Sequence, residues 1–343
     1  MLARWRVELV EMTAPNRPEE SIKTDLCFGT QQSTLAGKLL SREYLDESIK
    51  SYQLRSRDRL AQPSSCEASE SEPAGKGIDK NQEQKFDGEL FLIGGAAQES
   101  FSDLVSRLPK DAKVVTVGLA SKDGDNYSLE LARDFERAGI KAENITALCL
   151  GPAPPDAAYK CLDKLPEKFD LVYFGGGDQS LLKQRFLEVD KVRQALKNGS
   201  IVAGTSAGTA VMSSEMITGG DASDLTHAHG FALLPWAITD THVHERERED
   251  RDLSALYDIG EGKVPVIGID EDTRVSLRWE NGQLIGEVGG EGAVHIFRTS
   301  DQDLNVTSSR VVKPQLTYGM DGAGKGKAAL VWELKAGDKF VLQ

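Results

Sequence analysis

The sequence predicts an α/β protein built on a parallel, doubly wound sheet with helices on both faces. From Gly88 onward, short apolar runs alternate with stretches of helical period, and most of the runs end in glycine. Continuous apolar runs of this length are typical of strands buried on both faces of a sheet. Repeated alternation of strand and helix indicates parallel pairing, and ligands of such sheets bind beyond the carboxyl ends of the strands.

The elements of this sheet follow one another along the chain. Strands are predicted at residues 90–95, 114–118, 145–150, 171–175 and 201–204, and helices at residues 100–108, 127–138, 157–165 and 179–197. After Pro265 come shorter apolar runs at residues 266–269, 274–277, 293–297 and 329–334, and Asn281-Gly282 is a strong hairpin signal. We expect these C-terminal runs to be antiparallel strands that extend or cap the same sheet.

The composition changes near residue 87. Residues 1–86 are dominated by Ser, Glu, Gln, Lys and Arg, and residues 63–77 have the composition of a linker. A short helix within residues 35–54 would either dock a partner or pack on the main domain. We therefore expect a largely disordered polar extension over residues 1–86 and one folded domain over residues 87–343.

Charge and composition limit the classes of partner. The 343-residue chain is 39% hydrophobic, which is adequate for a packed core, and its formal net charge is -13. Binding of nucleic acid needs a basic face, and no cluster of Lys and Arg stands clear of acidic residues. We expect no nucleic-acid partner, and a cationic substrate would suit the charge better.

Cysteine spacing and hydropathy bear on the compartment. Cys27, Cys66, Cys149 and Cys161 are scattered without a C-x-x-C pair, which indicates neither a zinc site nor a disulfide framework. The first twelve residues contain charges that a secretion signal would lack, and no run of 18 apolar residues occurs. These features predict a cytoplasmic protein without a membrane partner.

The strongest chemical motif is Gly204-Thr-Ser-Ala-Gly208, between an apolar run and a segment that begins a helix. This G-x-S-x-G pattern in a strand–turn–helix setting is typical of a nucleophile elbow. Small residues on both sides of Ser206 permit the sharp turn, and the N–H of Ala207 could stabilise an oxyanion at the head of the helix. The alternative is a small-residue turn that merely starts a helix.

A second glycine-rich segment, Phe174-Gly-Gly-Gly-Asp-Gln179, follows another predicted strand. Its glycines would let the backbone approach a substrate closely, with Gly176 as a second oxyanion donor and Gly177 at the substrate. Gln179 could bind a substrate amide or carboxylate. A phosphate-binding loop is the alternative, although the spacing matches neither G-x-x-x-x-G-K-[ST] nor G-x-G-x-x-G.

A serine nucleophile needs a base, and the chain has five histidines: His227, His229, His242, His244 and His295. His242 is our first choice and His244 the second, because both follow an apolar run and alternate residues of an extended segment point the same way. The base needs an acid in turn. Asp221, Asp224 and the acidic residues 270–272 remain open alternatives.

Together these motifs resemble the cyanophycinase family, serine peptidases related to aspartyl dipeptidase. The resemblance rests on Gly-Gly-Gly-Asp-Gln, Gly-Thr-Ser-Ala-Gly, the Asp-x-His segment with spaced arginines, and Gly268-Ile-Asp-Glu-Asp-Thr273, over residues 92–298. It implies a flavodoxin-like sheet of the class I glutamine-amidotransferase type. It also implies Ser206 as nucleophile, His242 as base, and Asp224 as the acid, with Glu271 as the alternative.

The resemblance further implies a peptide or polymer substrate with β-Asp-Arg links and no metal or cofactor; a homodimer is one assembly we consider. Gln179 with Arg246 or Arg248 would hold the free carboxylate of β-aspartate, and Asp178 is a candidate for the substrate guanidinium. Thr209, Thr241 and Glu247 depart from the family pattern, where alanine, glutamine and glycine are usual.

Three functions from different classes follow. The first is a serine-type exopeptidase that hydrolyses aspartyl bonds through an acyl-enzyme on Ser206, with cyanophycin as substrate or, alternatively, α-aspartyl or isoaspartyl dipeptides. The second is an esterase of the α/β-hydrolase type, although those enzymes place the histidine late in the chain. The third is a binding module that has lost turnover.

Overall fold

The computed structural model describes residues 85–96, 98–151, 158–320 and 325–343. All of them lie in one compact unit of the chain, Lys76–Gln343. The extension predicted over residues 1–86 lies outside the described residues except for its last two positions, of which Phe86 is buried in the core. The helix proposed within residues 35–54 also lies outside them.

Strands account for most of the described elements. In chain order they are β1 Glu89–Ile93, β2 Val114–Val117, β3 Ile145–Leu148, β4 Lys160–Leu162, β5 Leu171–Phe174, β6 Ile201–Thr205, β7 Glu215–Gly219, β8 Thr226–His229, β9 Ile238–Thr241, β10 Val266–Ile269, β11 Thr273–Glu280, β12 Gln283–Gly290, β13 Val294–Thr299, β14 Val306–Thr307, β15 Gln315–Met320, β16 Gly326–Leu334 and β17 Lys339–Val341.

The helices lie mostly between the parallel strands. They are α1 Gln98–Ser106, α2 Gly124–Arg137, α3 Gln179–Arg185, α4 Val189–Lys197, α5 Ala207–Ala210 and α6 Glu249–Asp258, with a 3-10 turn at Ala142–Asn144. Within the described ranges, no helix has the length and apolar character that crossing a bilayer would require.

The larger sheet confirms the predicted α/β architecture. Strands β4, β3, β2, β5, β6 and β1 are parallel neighbours in that order, and β11, β12, β17 and β14 continue the sheet beyond β1 in antiparallel fashion. Every residue of β1, β2, β5 and β6 is buried, which explains why these strands are continuous apolar runs.

Helices cover both faces of the parallel strands. Leu90 and Leu92 of β1 join a core cluster that includes residues of α3 and α4, whereas Phe91 and Ile93 join one that includes residues of α1 and α2. Successive side chains of a strand point to opposite faces. The two clusters are therefore the two layers of a doubly wound sheet.

A second sheet has the order β15, β16, β13, β10, β9. Its β9 and β10 are parallel, and the other pairs are antiparallel. Of the predicted C-terminal runs, only residues 274–277 extend the first sheet, while those at residues 266–269, 293–297 and 329–334 lie in the second. Strands β7 and β8 form a separate hairpin.

Two helix predictions were wrong in part. Residues 158–165 contain the edge strand β4 instead of a helix, because this short segment gains hydrogen bonds by pairing with β3. The predicted helix over residues 179–197 is divided into α3 and α4, since Phe186 has an extended backbone that ends α3.

The expectation that the cysteines form no disulfide was also wrong. Cys149 and Cys161 are joined, with their Cα atoms 5.6 Å apart. The pairing of β3 with β4 brings them together, and a spacing of 12 residues gives no signal unless β4 is recognised as a strand. The cysteines therefore no longer support the expectation of a cytoplasmic protein.

Candidate active site

Ser206 occupies the sharp turn between β6 and α5. Its backbone has φ 51° and ψ -115°, a strained conformation for a residue other than glycine, and its N–H donates to the carbonyl oxygen of Ile93 at 3.0 Å. The turn is packed closely: a Cβ at Gly204 would overlap the Gly208 carbonyl, and a Cβ at Gly208 would overlap that of Phe174. Both glycines of the G-x-S-x-G motif are therefore required by close backbone contacts.

Thr209 ties this turn to β1. Its hydroxyl accepts a hydrogen bond from the Ile93 N–H at 3.0 Å and lies 2.8 Å from the Ile93 carbonyl and 2.7 Å from that of Gly204, to one of which it donates. Thr209 is fully buried. The threonine that departs from the family pattern thus anchors the elbow, a role that the sequence analysis did not assign.

His242 is the base candidate that the structure brings to Ser206. It follows β9 with φ 56°, and its Nε2 lies 2.7 Å from the Ser206 Oγ. Gly95 makes room for the ring, because a Cβ at that position would overlap the imidazole. The His242 N–H also donates to the Gly94 carbonyl at 3.2 Å, so the end of β1 positions the histidine.

Glu271 is the acid that contacts the histidine. It follows β10, and its Oε1 lies 2.6 Å from the His242 Nδ1. Ser206, His242 and Glu271 therefore form a continuous hydrogen-bonded chain of the serine–histidine–acid type. In this arrangement Nδ1 donates to Glu271 while Nε2 accepts from the Ser206 hydroxyl.

The structure does not bring Asp224 to this chain. Its Oδ1 instead accepts a hydrogen bond from the Asp221 N–H at 2.6 Å, in the turn before β8. Of our two alternatives for the acid, the geometry favours Glu271. Asp224 lies in a segment whose position the sequence could not determine.

The pKa of His242 is lowered from its usual value. Burial is the main cause, and the positive charges of Arg246 and Arg248 add to it, whereas the hydrogen bond and charge of Glu271 act in the opposite direction. A lowered pKa keeps the imidazole neutral at neutral pH. A neutral imidazole is the form that can accept the serine proton.

Asp270, the neighbour of Glu271, has a structural role. Its oxygens accept hydrogen bonds from the backbone N–H groups of His244 at 3.0 Å and Ala293 at 2.9 Å, and His295 lies 3.3 Å away. Burial acts to raise the pKa of Asp270, but these partners outweigh it and lower the pKa. Asp270 thus fixes the segment that carries His242, while the His244 side chain is exposed.

The glycine-rich loop after β5 lies beside Ser206. A Cβ at Gly176 would lie 3.9 Å from the Ser206 Oγ, and Gly177, with φ 134°, passes so close to Ala120 that a Cβ would be 2.5 Å from its carbonyl oxygen. A backbone hydrogen bond from Gly176 acts to lower the pKa of the Tyr127 hydroxyl, although burial raises that pKa overall. The Gly176 backbone therefore lies beside Ser206 and is hydrogen-bonded to Tyr127.

Asp178 and Gln179 have structural contacts in this state. The Asp178 carboxylate caps α3 by accepting from the N–H groups of Ser180 at 2.8 Å and Leu181 at 3.2 Å. The Gln179 Nε2 donates to the Ile217 carbonyl at 2.7 Å. Asp178 is exposed and Gln179 half-buried, so both remain accessible at the head of α3.

The spaced arginines line a cavity of about 500 Å³ beyond β9. Arg251 binds Asp240 through its Nε at 2.8 Å and its Nη2 at 2.6 Å, and Arg248 donates to the Thr241 carbonyl at 2.6 Å. Arg246 is exposed. Asp240, two residues before His242, thus anchors the arginine cluster. No role for Asp240 beyond its place in the Asp-x-His motif was predicted from the sequence.

The comparisons with known proteins agree with the motifs. The family model described as Peptidase family S51 matches residues 90–285, more than half of the chain. The chain belongs to peptidase family S51. The predicted membership of the cyanophycinase group is confirmed at this level.

Several curated relatives are named cyanophycinase. The protein from Geminocystis herdmanii (strain PCC 6308) is 37% identical over 140 residues, which cover 38% of this chain and 50% of the relative. That from Thermosynechococcus vestitus (strain NIES-2133 / IAM M-273 / BP-1) is 30% identical over 201 residues, 56% of this chain and 60% of the relative. The chain thus spans between half and three fifths of the length of these relatives.

A solved structure was also matched. The crystal structure of a peptidase from an acI-B1 actinobacterium aligns with a TM-score of 0.41 and 19% sequence identity, covering 62% of this chain and 91% of that chain.

Proposed function

We propose that the protein is a serine-type peptidase that cleaves aspartyl peptide bonds, with cyanophycin as substrate and β-Asp-Arg dipeptides as product. The observation that carries the proposal is the hydrogen-bonded chain of Ser206, His242 and Glu271, at 2.7 and 2.6 Å, in a chain of family S51. The order and spacing of these contacts suit nucleophilic acyl transfer.

The proposed reaction has two halves. In the first, the Ser206 Oγ attacks the scissile carbonyl while the His242 Nε2 takes its proton, and Glu271 stabilises the resulting imidazolium. The oxyanion would accept hydrogen bonds from the N–H groups of Ala207 and Gly176. The Gly176 N–H would then be shared between the oxyanion and the Tyr127 hydroxyl. His242 then protonates the leaving amine, and an ester on Ser206 remains.

In the second half, water hydrolyses the ester. His242 removes a proton from the water, the hydroxide attacks the acyl carbonyl, and the Ser206 Oγ leaves with the proton that His242 returns. The products are the free carboxylic acid and the original enzyme.

The substrate class is supported by charge and by the names of the relatives. An arginine-bearing polymer suits a chain of net charge -13, and the curated relatives are named cyanophycinase. Arg246 and Arg248, together with Gln179, would hold the free carboxylate of β-aspartate. Glu247 and Thr241, where the family pattern differs, lie close to these arginines. The products of the reaction must therefore be identified to distinguish a polymer substrate from a dipeptide substrate.

Incubation of purified protein with cyanophycin tests the proposal, with mass spectrometry of the products. Release of β-Asp-Arg that disappears in Ser206→Ala, with the circular dichroism spectrum unchanged, is the expected result. Cleavage of α-aspartyl or β-aspartyl dipeptides without cleavage of the polymer would instead assign the dipeptidase activity. Hydrolysis that persists in Ser206→Ala would refute the serine mechanism.

A further inference from the structure

A cavity of about 480 Å³ opens beside the elbow, on the face of the larger sheet that α1 and α2 cover. Its walls include the rings of Phe101, Tyr127 and Tyr173 and the side chain of Leu131. We call it the aromatic cavity. It shares no lining residue with the cavity of the spaced arginines, and none of the residues assigned above to substrate binding lines it.

The aromatic cavity is adjacent to the reacting groups. Thr205, which lines it, directly precedes Ser206, and Tyr127 packs against the glycine-rich loop, where a Cβ at Gly175 would lie 2.6 Å from its ring. The same tyrosine receives the hydrogen bond from Gly176 described above. A substrate residue next to the scissile bond would therefore reach this cavity with a side chain of ordinary length.

The charged side chains that line the aromatic cavity are Asp134 and Arg137. Burial is the main cause that raises the pKa of both Tyr127 and Tyr173, and the negative charge of Asp134 raises each of them further. Asp134 itself holds a guanidinium already, since the Nη1 of Arg137 lies 2.9 Å from its Oδ1 and both side chains are at least half exposed. The mouth of the cavity is thus suited to a planar cation.

We propose that the aromatic cavity is a subsite for a cationic side chain of the substrate, whose guanidinium replaces that of Arg137 at Asp134. In a β-Asp-Arg chain this side chain is arginine, so the inference rests on the proposed function for the identity of the ligand. Aromatic faces attract guanidinium groups and pack against their apolar stems. A carboxylate at the mouth would then select a charged side chain over a neutral one of equal shape.

Binding to an inactive variant tests the subsite separately from catalysis. In Ser206→Ala, calorimetry would compare a peptide of two β-Asp-Arg units with its counterpart in which citrulline, a neutral isostere, replaces arginine. We expect tighter binding of the arginine peptide, and about a fivefold loss of that affinity in Ser206→Ala/Asp134→Asn, as for a partly exposed ion pair. Affinity for the citrulline peptide should not change.

Two further variants separate ligand binding from a structural role of the ion pair. Arg137→Ala should tighten binding of the arginine peptide, because it removes the internal competitor, whereas loss of a merely structural pair would not. Asp190→Asn is the matched control, since Asp190 also pairs with an arginine three residues later, Arg193, on another helix. It should leave both affinities unchanged.

The outcomes distinguish failure of the subsite from failure of the proposed function. If the wild type cleaves no aspartyl peptide but binding to Ser206→Ala still depends on Asp134 and on the arginine charge, the subsite stands and the peptidase proposal falls. The subsite is refuted if Asp134→Asn weakens both peptides equally, if it weakens neither, or if the arginine peptide does not bind.

Discussion

At the scale of single residues, the sequence left two alternatives for the acid beside His242, and the structure distinguishes them. Glu271 lies at the end of β10 with its carboxylate on the histidine ring, whereas the carboxylate of Asp224 caps a turn. We expect Glu271→Gln to lower kcat by about 10² to 10⁴, because the imidazole would lose the partner that fixes its tautomer.

Asp224→Asn is the control for this prediction and should change kcat less than tenfold, as expected for a turn residue away from the reacting groups. Steady-state kinetics of both variants on an aspartyl peptide would measure the difference. A larger loss in Asp224→Asn than in Glu271→Gln would reverse the assignment.

The protonation of His242 predicts a pH dependence. The proposed base must be neutral, and its neutral fraction increases as the pH rises through its pKa. Since burial and the nearby arginines lower that pKa, the acid limb of kcat/KM should lie below the ordinary imidazole value of about 6.5.

Arg246→Gln should move this limb to higher pH, because one of the charges that disfavour the imidazolium is removed. The position of the limb is the readout, since its height also depends on substrate binding. The replacement Arg133→Gln, on the exposed side of α2, should leave the midpoint where it is. A shift of the Arg246→Gln limb to lower pH would contradict the electrostatic argument.

At the scale of elements, the end of β1 determines where the histidine can lie. A Cβ at Gly95 would overlap the imidazole, and the backbone there has φ 144°, which side chains rarely adopt. We expect Gly95→Ala to displace His242 and to lower kcat by about 100-fold or more, as misplacement of a catalytic group does. Gly326→Ala, at a position with open space around it, is the matched control and should be active.

The elbow also depends on Thr209. Thr209→Val would leave the Ile93 N–H without its buried acceptor, so the free energy of unfolding should decrease by about 1 to 3 kcal/mol. Urea denaturation would measure this loss, with Thr307→Val on the exposed edge strand β14 as the control. Equal stability of the two variants would show that the hydroxyl does not hold the turn.

The elements were predictable where burial alone determines them. Residues 90–95 and 171–175 are continuous apolar runs because both faces of β1 and β5 are covered, and this pattern is visible in the sequence. Strand β4 has half-exposed residues and only three positions, so nothing local distinguishes it from a helix. Helix α6 was not predicted, since acidic residues dominate its first turn and most of its apolar residues are concentrated at 253–257.

The candidate site was predictable to a similar extent. The motifs singled out Ser206 and His242, which the structure brings within 2.7 Å of each other, because each residue follows a predicted strand within a recognisable motif. The choice between Asp224 and Glu271 depends on which strands pair, here β9 with β10, and pairing between distant segments is not encoded in local pattern. The proposed role of the Asp134–Arg137 ion pair likewise could not be predicted from the sequence, because it depends on the cavity that these residues line.

At the scale of the whole molecule, the disulfide lies far from the candidate site. Strands β3, β2 and β5 separate β4 from β6, which carries Ser206 at its end. We expect reduction to lower Tm, corresponding to at most about 3 kcal/mol for a loop of this size, and to leave kcat unchanged.

Thermal denaturation and kinetics with and without dithiothreitol would check this prediction. In the double variant Cys149→Ser/Cys161→Ser, the reductant should no longer change Tm. Loss of activity on reduction, with the fold intact, would contradict this prediction, because it would mean that the conformation of the turn at Ser206 depends on the disulfide at the edge of the sheet.

The proposed reacting groups come from two sheets: Ser206 follows β6 in one sheet, whereas His242 and Glu271 follow β9 and β10 in the other. Neither layer contains a competent set by itself. The proposed hydrolysis should therefore depend on how the two layers are docked, because a small displacement between them would separate Ser206 from His242 while every strand remained intact.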